Sequence, residues 1–131
     1  MNLRLLDLNV LKHQDKINYK SESVEGDIHL VQLDPTTRGI GISVYNITNF
    51  TKVNTPYILI RLTKYTLDVL KIEDIRKADG TWTSRETLLS HNPQPYRVAE
   101  IVSSAFGSTD VPFEELIKEC YDYFDEIVSM Y

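Results

Sequence analysis

The C-terminal stretch constrains the fold of this chain more than any other. Phe113, Leu116, Ile117, Cys120, Phe124, Ile127, Val128 and Tyr131 recur at helical spacing, which predicts an amphipathic helix beginning near Pro112. Asp110 is placed to cap it, and Glu114 and Glu115 complement its positive end. A stripe this complete must be covered, either by the rest of the chain or by a second copy. On that ground a homo-oligomer is expected, most simply a symmetric dimer. A shorter helix precedes it. Pro95 suits the first helical position, Val98, Ile101, Val102, Ala105 and Phe106 fall on one face, and Gly107 follows as a cap.

Upstream of Pro93 the periodicity changes from helical to alternating. Leu3–Leu11 reads as a strand, and Lys16–Lys20 as a short one inside a polar loop. Ile28–Leu33 and the alternation of Ile40, Ile42 and Val44 with Gly41, Ser43 and Tyr45 read as two strands of a hairpin. Between them Asp34-Pro35-Thr36-Thr37-Arg38-Gly39 predicts the turn, with Gly39 supplying a positive φ. Tyr57–Thr63 (YILIRLT) is the most strand-like segment of all. Residues 66–89 fit neither period cleanly. Asp79-Gly80 before Thr81-Trp82-Thr83 favours two strands joined by a type I′ turn over a helix capped at Gly80.

The expected architecture is therefore α+β: an N-terminal antiparallel sheet of about five or six strands against two C-terminal helices. It forms one domain over 1–131, with 1–92 β-rich and 93–131 a helical hairpin. At 131 residues and 42% hydrophobic content the chain builds a core without a disulfide or a metal. Its one cysteine, Cys120, excludes an internal disulfide. With no signal peptide in MNLRLLDLNVLKHQ and no apolar run of membrane length, the cytoplasm is the expected compartment.

The net charge of −5 is unevenly spread. From Asp110 onward seven acids face Lys118 alone, a balance of −6, while the remainder carries +1. Binding to nucleic acid through overall charge is disfavoured, since phosphate contacts need a basic excess. No triad, paired-carboxylate motif or metal-ligand spacing appears. Cys120 sits on the apolar stripe, and His13, His29 and His91 are scattered. The segment Arg38-Gly39-Ile40-Gly41 runs into a strand, unlike a phosphate-binding glycine loop, which opens a helix. Neither catalysis nor a cofactor is expected.

Two surfaces remain as binding candidates. Glu115, Glu119, Asp122 and Glu126 form a line of carboxylates opposite the apolar stripe, fit for a basic partner. Tyr45, Tyr57 and Arg61, with Lys64 nearby, lie on the strand sides opposite the aliphatic ones. Tyrosine with arginine suits a protein hot spot or base stacking equally. The expected function is a small interaction protein with a regulatory, inhibitory or assembly role, of the kind viruses and mobile elements encode. The alternatives are a small-ligand or single-stranded nucleic-acid binder working through the Tyr/Arg face and, last, an enzyme of unknown type.

Overall fold

The computed structural model describes residues 16–20 (backbone only), 24–46, 56–106 and 112–129. Six strands form one antiparallel meander in chain order: β1 (Lys16–Lys20), β2 (Val24–Asp34), β3 (Thr37–Asn46), β4 (Tyr57–Leu62), β5 (Leu67–Arg76) and β6 (Trp82–His91). Helices α1 (Pro95–Phe106), α2 (Phe113–Asp122) and α3 (Phe124–Ser129) follow. This is the α+β arrangement expected from the sequence. The expected strand over Leu3–Leu11, the capping residues Gly107 and Asp110, and Tyr131 lie outside the described residues.

Register sets the core. Because paired residues of antiparallel strands share a face, Ile28, Ile42, Ile60 and Val69 form one row across β2–β5. Leu30, Ile40, Leu62 and Leu67 form the next. These rows meet Val98 and Val102 of α1, Phe113, Leu116, Ile117 and Cys120 of α2, and Phe124 and Ile127 of α3 in one cluster. The described part of the C-terminal apolar stripe thus packs against the chain's own sheet. Of the stripe's described residues, Phe113, Leu116, Ile117, Cys120, Phe124 and Ile127 are buried and Val128 is half-buried. We call the helix-covered side of the sheet its inner face and the opposite side its outer face.

The single C-terminal helix expected from the stripe is in fact two. At Tyr123 the backbone leaves the helical region, with φ −115° and ψ 21°. The Tyr-Asp-Tyr-Phe-Asp sequence there combines residues of middling to low helix propensity. Hydrogen bonding resumes at once, the Ile127 N–H donating to the Tyr123 carbonyl at 2.9 Å, so Phe124 and Ile127 stay in phase with α2. Pro112 holds the N-cap position of α2, and no side chain caps it.

Two turns differ in type from expectation. Gly39 was expected in a positive-φ turn position, yet it lies within β3, paired with Val31. Gly80, at φ +88°, is the positive-φ glycine among the described residues. Asp79 is not at positive φ, which rules out the type I′ turn. Instead the Gly80 N–H donates to the Lys77 carbonyl at 3.0 Å, and the Lys77 N–H to Thr81 at 2.7 Å. That is a three-residue connection with a left-handed glycine at its end.

The β2–β3 and β5–β6 turns use the same Asp-x-Thr device. Asp34 Oδ1 accepts from the Thr36 N–H at 2.8 Å and its hydroxyl at 3.0 Å. Asp79 Oδ1 accepts from the Thr81 N–H at 2.9 Å and its hydroxyl at 2.6 Å. The bonds from Thr36 and Thr81 hold the respective carboxyls below the usual aspartate range. A carboxylate whose folded pKa is depressed lends stability above its unfolded pKa and loses it as pH falls through the folded one. Both turns are therefore expected to loosen at a lower pH than that at which ordinary exposed aspartates protonate. Amide shifts of Thr36 and Thr81 during an acid titration would show midpoints below those of ordinary exposed aspartates.

The helices are tied to the β4–β5 turn. The Tyr121 hydroxyl donates to the Thr66 carbonyl at 2.9 Å, and Lys64 Nζ lies 3.2 Å from Asp125 Oδ2. Asn92, at φ 56°, redirects the chain from β6 into α1. Its Oδ1 accepts from the Leu67 N–H at 3.2 Å, and its own N–H donates to the Leu67 carbonyl at 2.5 Å.

Candidate functional site

The outer face gathers three of the residues expected to bind. Tyr45 and Tyr57 stand side by side on β3 and β4, ring centroids 4.8 Å apart and planes tilted by 35°. Tyr57 ionises above the usual tyrosine range, chiefly through desolvation, then through Tyr45, Asp74 and Glu86 nearby. At neutral pH its hydroxyl is a hydrogen-bonding group and carries no charge. Arg61 lies two rows further along the same face, beyond Leu59, where register aligns His29, Gly41, Arg61, Asp68 and His91 across β2–β6. Its Nη2 is 3.6 Å from Asp68 Oδ2, and Asp68 Oδ1 is 2.5 Å from His91 Nδ1. The arginine expected to be available to a ligand therefore already faces a carboxylate.

Lys64 does not join this group. It sits beyond β4 in the turn towards α3, where it pairs with Asp125. The carboxylates Glu115, Glu119, Asp122 and Glu126 belong to α2 and α3, which pack on the inner face. The break at Tyr123 divides them, with Glu126 on a separate helix from the other three. Tyr123 is surrounded by this acidity: desolvation first, then Glu126, Asp122 and Glu119, push its ionisation upward. The two surfaces singled out from the sequence thus belong to opposite sides of the sheet and do not form one site.

Cys120 is buried and its thiol is pushed up to about 12, mainly by burial and further by Glu119. It behaves as a core residue and not as a nucleophile. Among the described residues no group of three His, Cys, Asp or Glu side chains is placed to hold a metal ion. None of their helices is long and apolar enough to cross a membrane.

Sequence reasoning missed the edge of the sheet. All of β6 except the half-buried Ser90 is exposed, and β6 closes the sheet with no strand on its far side among those described. Beyond Ile72, the last β5 residue paired with β4, the β5–β6 ladder continues as a two-stranded ribbon to Arg76 and Trp82. Of the five exposed large hydrophobic residues among those described, Trp82 (54%), Leu88 (55%) and Leu89 (41%) lie on β6, Tyr96 (55%) is in the first turn of α1, and Tyr65 (82%) lies in the β4–β5 turn. The pairing slips between Val69 and Leu70, which face Ser90 and Leu88, so Leu89 is the extra residue of a bulge. Leu88 pairs with Leu70 on the outer face, in the row adjoining Tyr45 and Tyr57. The consecutive leucines Leu88 and Leu89, at the end of a polar run, were the available signal for this bulge.

The edge strand is protected against pairing only by the bulge at Leu89 and by the charges of Arg85 and Glu86. It is 10 residues long and contains neither proline nor lysine. Its two central charges are Arg85, which lies 3.1 Å from Glu73 of β5, and Glu86, which projects from the outer face opposite Ile72. Comparison of the chain with protein-family models, with curated proteins and with solved structures returned no match.

Proposed function

We propose that this chain is a non-catalytic protein-interaction domain that takes an extended segment of another protein as a further strand alongside β6. The observation that carries this reading is a ten-residue edge strand without proline or lysine that exposes Trp82 at its start and Leu88 and Leu89 towards its end. Monomeric sheets bury, charge or interrupt such edges, because free N–H and C=O groups template a new strand. Strand addition gains affinity from the main chain and specificity from alternate side-chain positions.

Those positions describe the partner. On the outer face β6 presents Trp82, Ser84, Glu86 and Leu88 in turn. An antiparallel segment fits when apolar residues oppose Leu88 and Trp82 and a lysine or arginine opposes Glu86. A second copy of the chain fits less well. Antiparallel pairing about a two-fold axis opposes residues of the same face, so a centre at Arg85 or Glu86 sets like charges against each other. Base stacking on Tyr45 and Tyr57 is weakened as a reading because Arg61 and Lys64 already face Asp68 and Asp125.

The probe is a seven-residue extended peptide of pattern apolar-x-Lys-x-Thr-x-apolar, with a control carrying glutamate for lysine. We expect saturable binding of the lysine peptide with amide shift changes concentrated on β6. Thr87→Pro or Leu88→Lys should weaken it at least tenfold. Equal binding of both peptides, changes elsewhere in the sheet, or β6-mediated self-association in place of peptide binding would contradict the reading.

A further inference from the structure

The inner face changes from aliphatic to polar along β5 and β6, where Lys71, Glu73, Arg85 and Thr87 take the positions that continue its rows. Register continues the row of Val44 and Ile58 to Lys71 of β5, whereas the neighbouring rows reach Val69 and Leu67, both buried. Lys71 therefore stands where the aliphatic part of the helix-covered face meets its polar margin, across from Thr87 and one inner position from Glu73.

Lys71 borders a groove of about 480 Å³ between the sheet and the end of α1, lined also by Asn46, Ile58, Leu89, Ala105 and Phe106. That volume falls within the range of small-ligand sites. A second hollow of about 280 Å³ shares Leu89 and Ala105 with it and continues along α1 to Ile101 and Arg97. The charge of Lys71 is poorly answered from within the chain. Its ammonium is 3.9 Å from Glu73, and Glu73 is the same carboxylate that Arg85 approaches to 3.1 Å. In the second hollow Arg97 is matched by Glu100 at 2.5 Å. The grooves together offer apolar walls and one cation with little local compensation.

We propose that this groove binds a carboxylate carried on an unbranched apolar chain, of the medium-chain fatty-acid type. The carboxylate pairs with Lys71, and the chain lies over Ile58 and Leu89 and past Ala105 towards Ile101. The apolar contacts supply affinity through buried area, and the ion pair selects the anionic head group. This site lies on the inner face and does not depend on strand addition at β6.

Three probes of equal chain length, used below their micellar concentrations, separate the contributions: decanoate, decanol and decyltrimethylammonium. Calorimetry on the full chain is expected to show saturable one-to-one binding of decanoate. Its affinity should be at least tenfold above that of the other two, with methyl shifts at Ile58 and Leu89. Lys71→Met, checked for folding by thermal unfolding, should reduce decanoate to the level of decanol. Lys71→Arg should keep the preference for decanoate. Equal binding of all three probes, non-saturating partition of decanoate, or an undiminished preference in Lys71→Met would overturn the proposal.

Discussion

Phe113→Ala is expected to lower the unfolding free energy by about 3–5 kcal/mol, a large share of the roughly 5–15 kcal/mol that holds a domain of this kind together. Phe113 is fully buried at the first turn of α2, within the cluster that joins α1, α2, α3 and the inner face. Truncation removes its transfer free energy and leaves a cavity that a rigid sheet on one side cannot collapse to fill. With the usual entropy of unfolding per residue, the midpoint of thermal unfolding should fall by about 10–18 °C. A fall under about 3 °C would mean that α2 does not seat on the sheet as described. The far smaller contribution of the exposed Lys64–Asp125 pair, roughly 0–1 kcal/mol, supplies the contrast for the same measurement.

Gly39→Ala is expected to cost about 2–3 kcal/mol although it adds one methyl group. A Cβ at this position would lie 2.3 Å from the Leu62 carbonyl oxygen and 3.2 Å from Leu33 Cδ1. The obstacle is backbone, so no rotamer change relieves it, and the β3–β4 ladder has to part locally. Gly41→Ala makes the control. There the nearest atoms are His29 Nε2 and Val31 Cγ1, each at 2.8 Å, and both belong to side chains that can turn aside. Its expected cost is about 1 kcal/mol. Urea unfolding of the two variants should rank them in that order, and equal stability would remove the reason given for glycine at position 39.

The glycine at 39 also shows where sequence reading ends. From the sequence it looks like a turn residue, because it follows Asp-Pro and precedes an alternating strand. Its actual role, admitting the Leu62 backbone, depends on a strand more than twenty residues away and leaves no local trace. The core was legible for the opposite reason. The aliphatic alternation of Ile40, Ile42 and Val44, and of Ile58, Ile60 and Leu62, is a local pattern that names its own face. The terminal stripe does the same at helical spacing. The break at Tyr123 left that spacing intact, so the pattern could not report it. At Asp79-Gly80 the dipeptide correctly marked a hairpin, but three-residue and two-residue connections share that dipeptide, and only the hydrogen bonds of Lys77 distinguish them.

The candidate site was less legible than the fold. Alternation placed Tyr45, Tyr57 and Arg61 together on the face opposite the aliphatic residues, and that juxtaposition is what register produces. Pairing of charges could not be read in the same way. Asp68 meets Arg61, and Asp125 meets Lys64, only because β5 and α3 are brought alongside. The exposed edge was invisible for a topological reason. Nothing within Trp82–His91 states that it is the last strand of the sheet, and the residues on it acquire their exposure from what does not lie beside them.

Amide hydrogen exchange along β6 tests the central claim most directly, since that claim is an edge strand open to a partner's main chain. In the free protein, amides of β6 that face β5 should be protected, and those alternating with them should exchange at rates close to an unstructured chain. Addition of the lysine peptide should slow the second set and leave the first unchanged. Uniform protection along β6 without any peptide would contradict the account, because the edge would then already be covered.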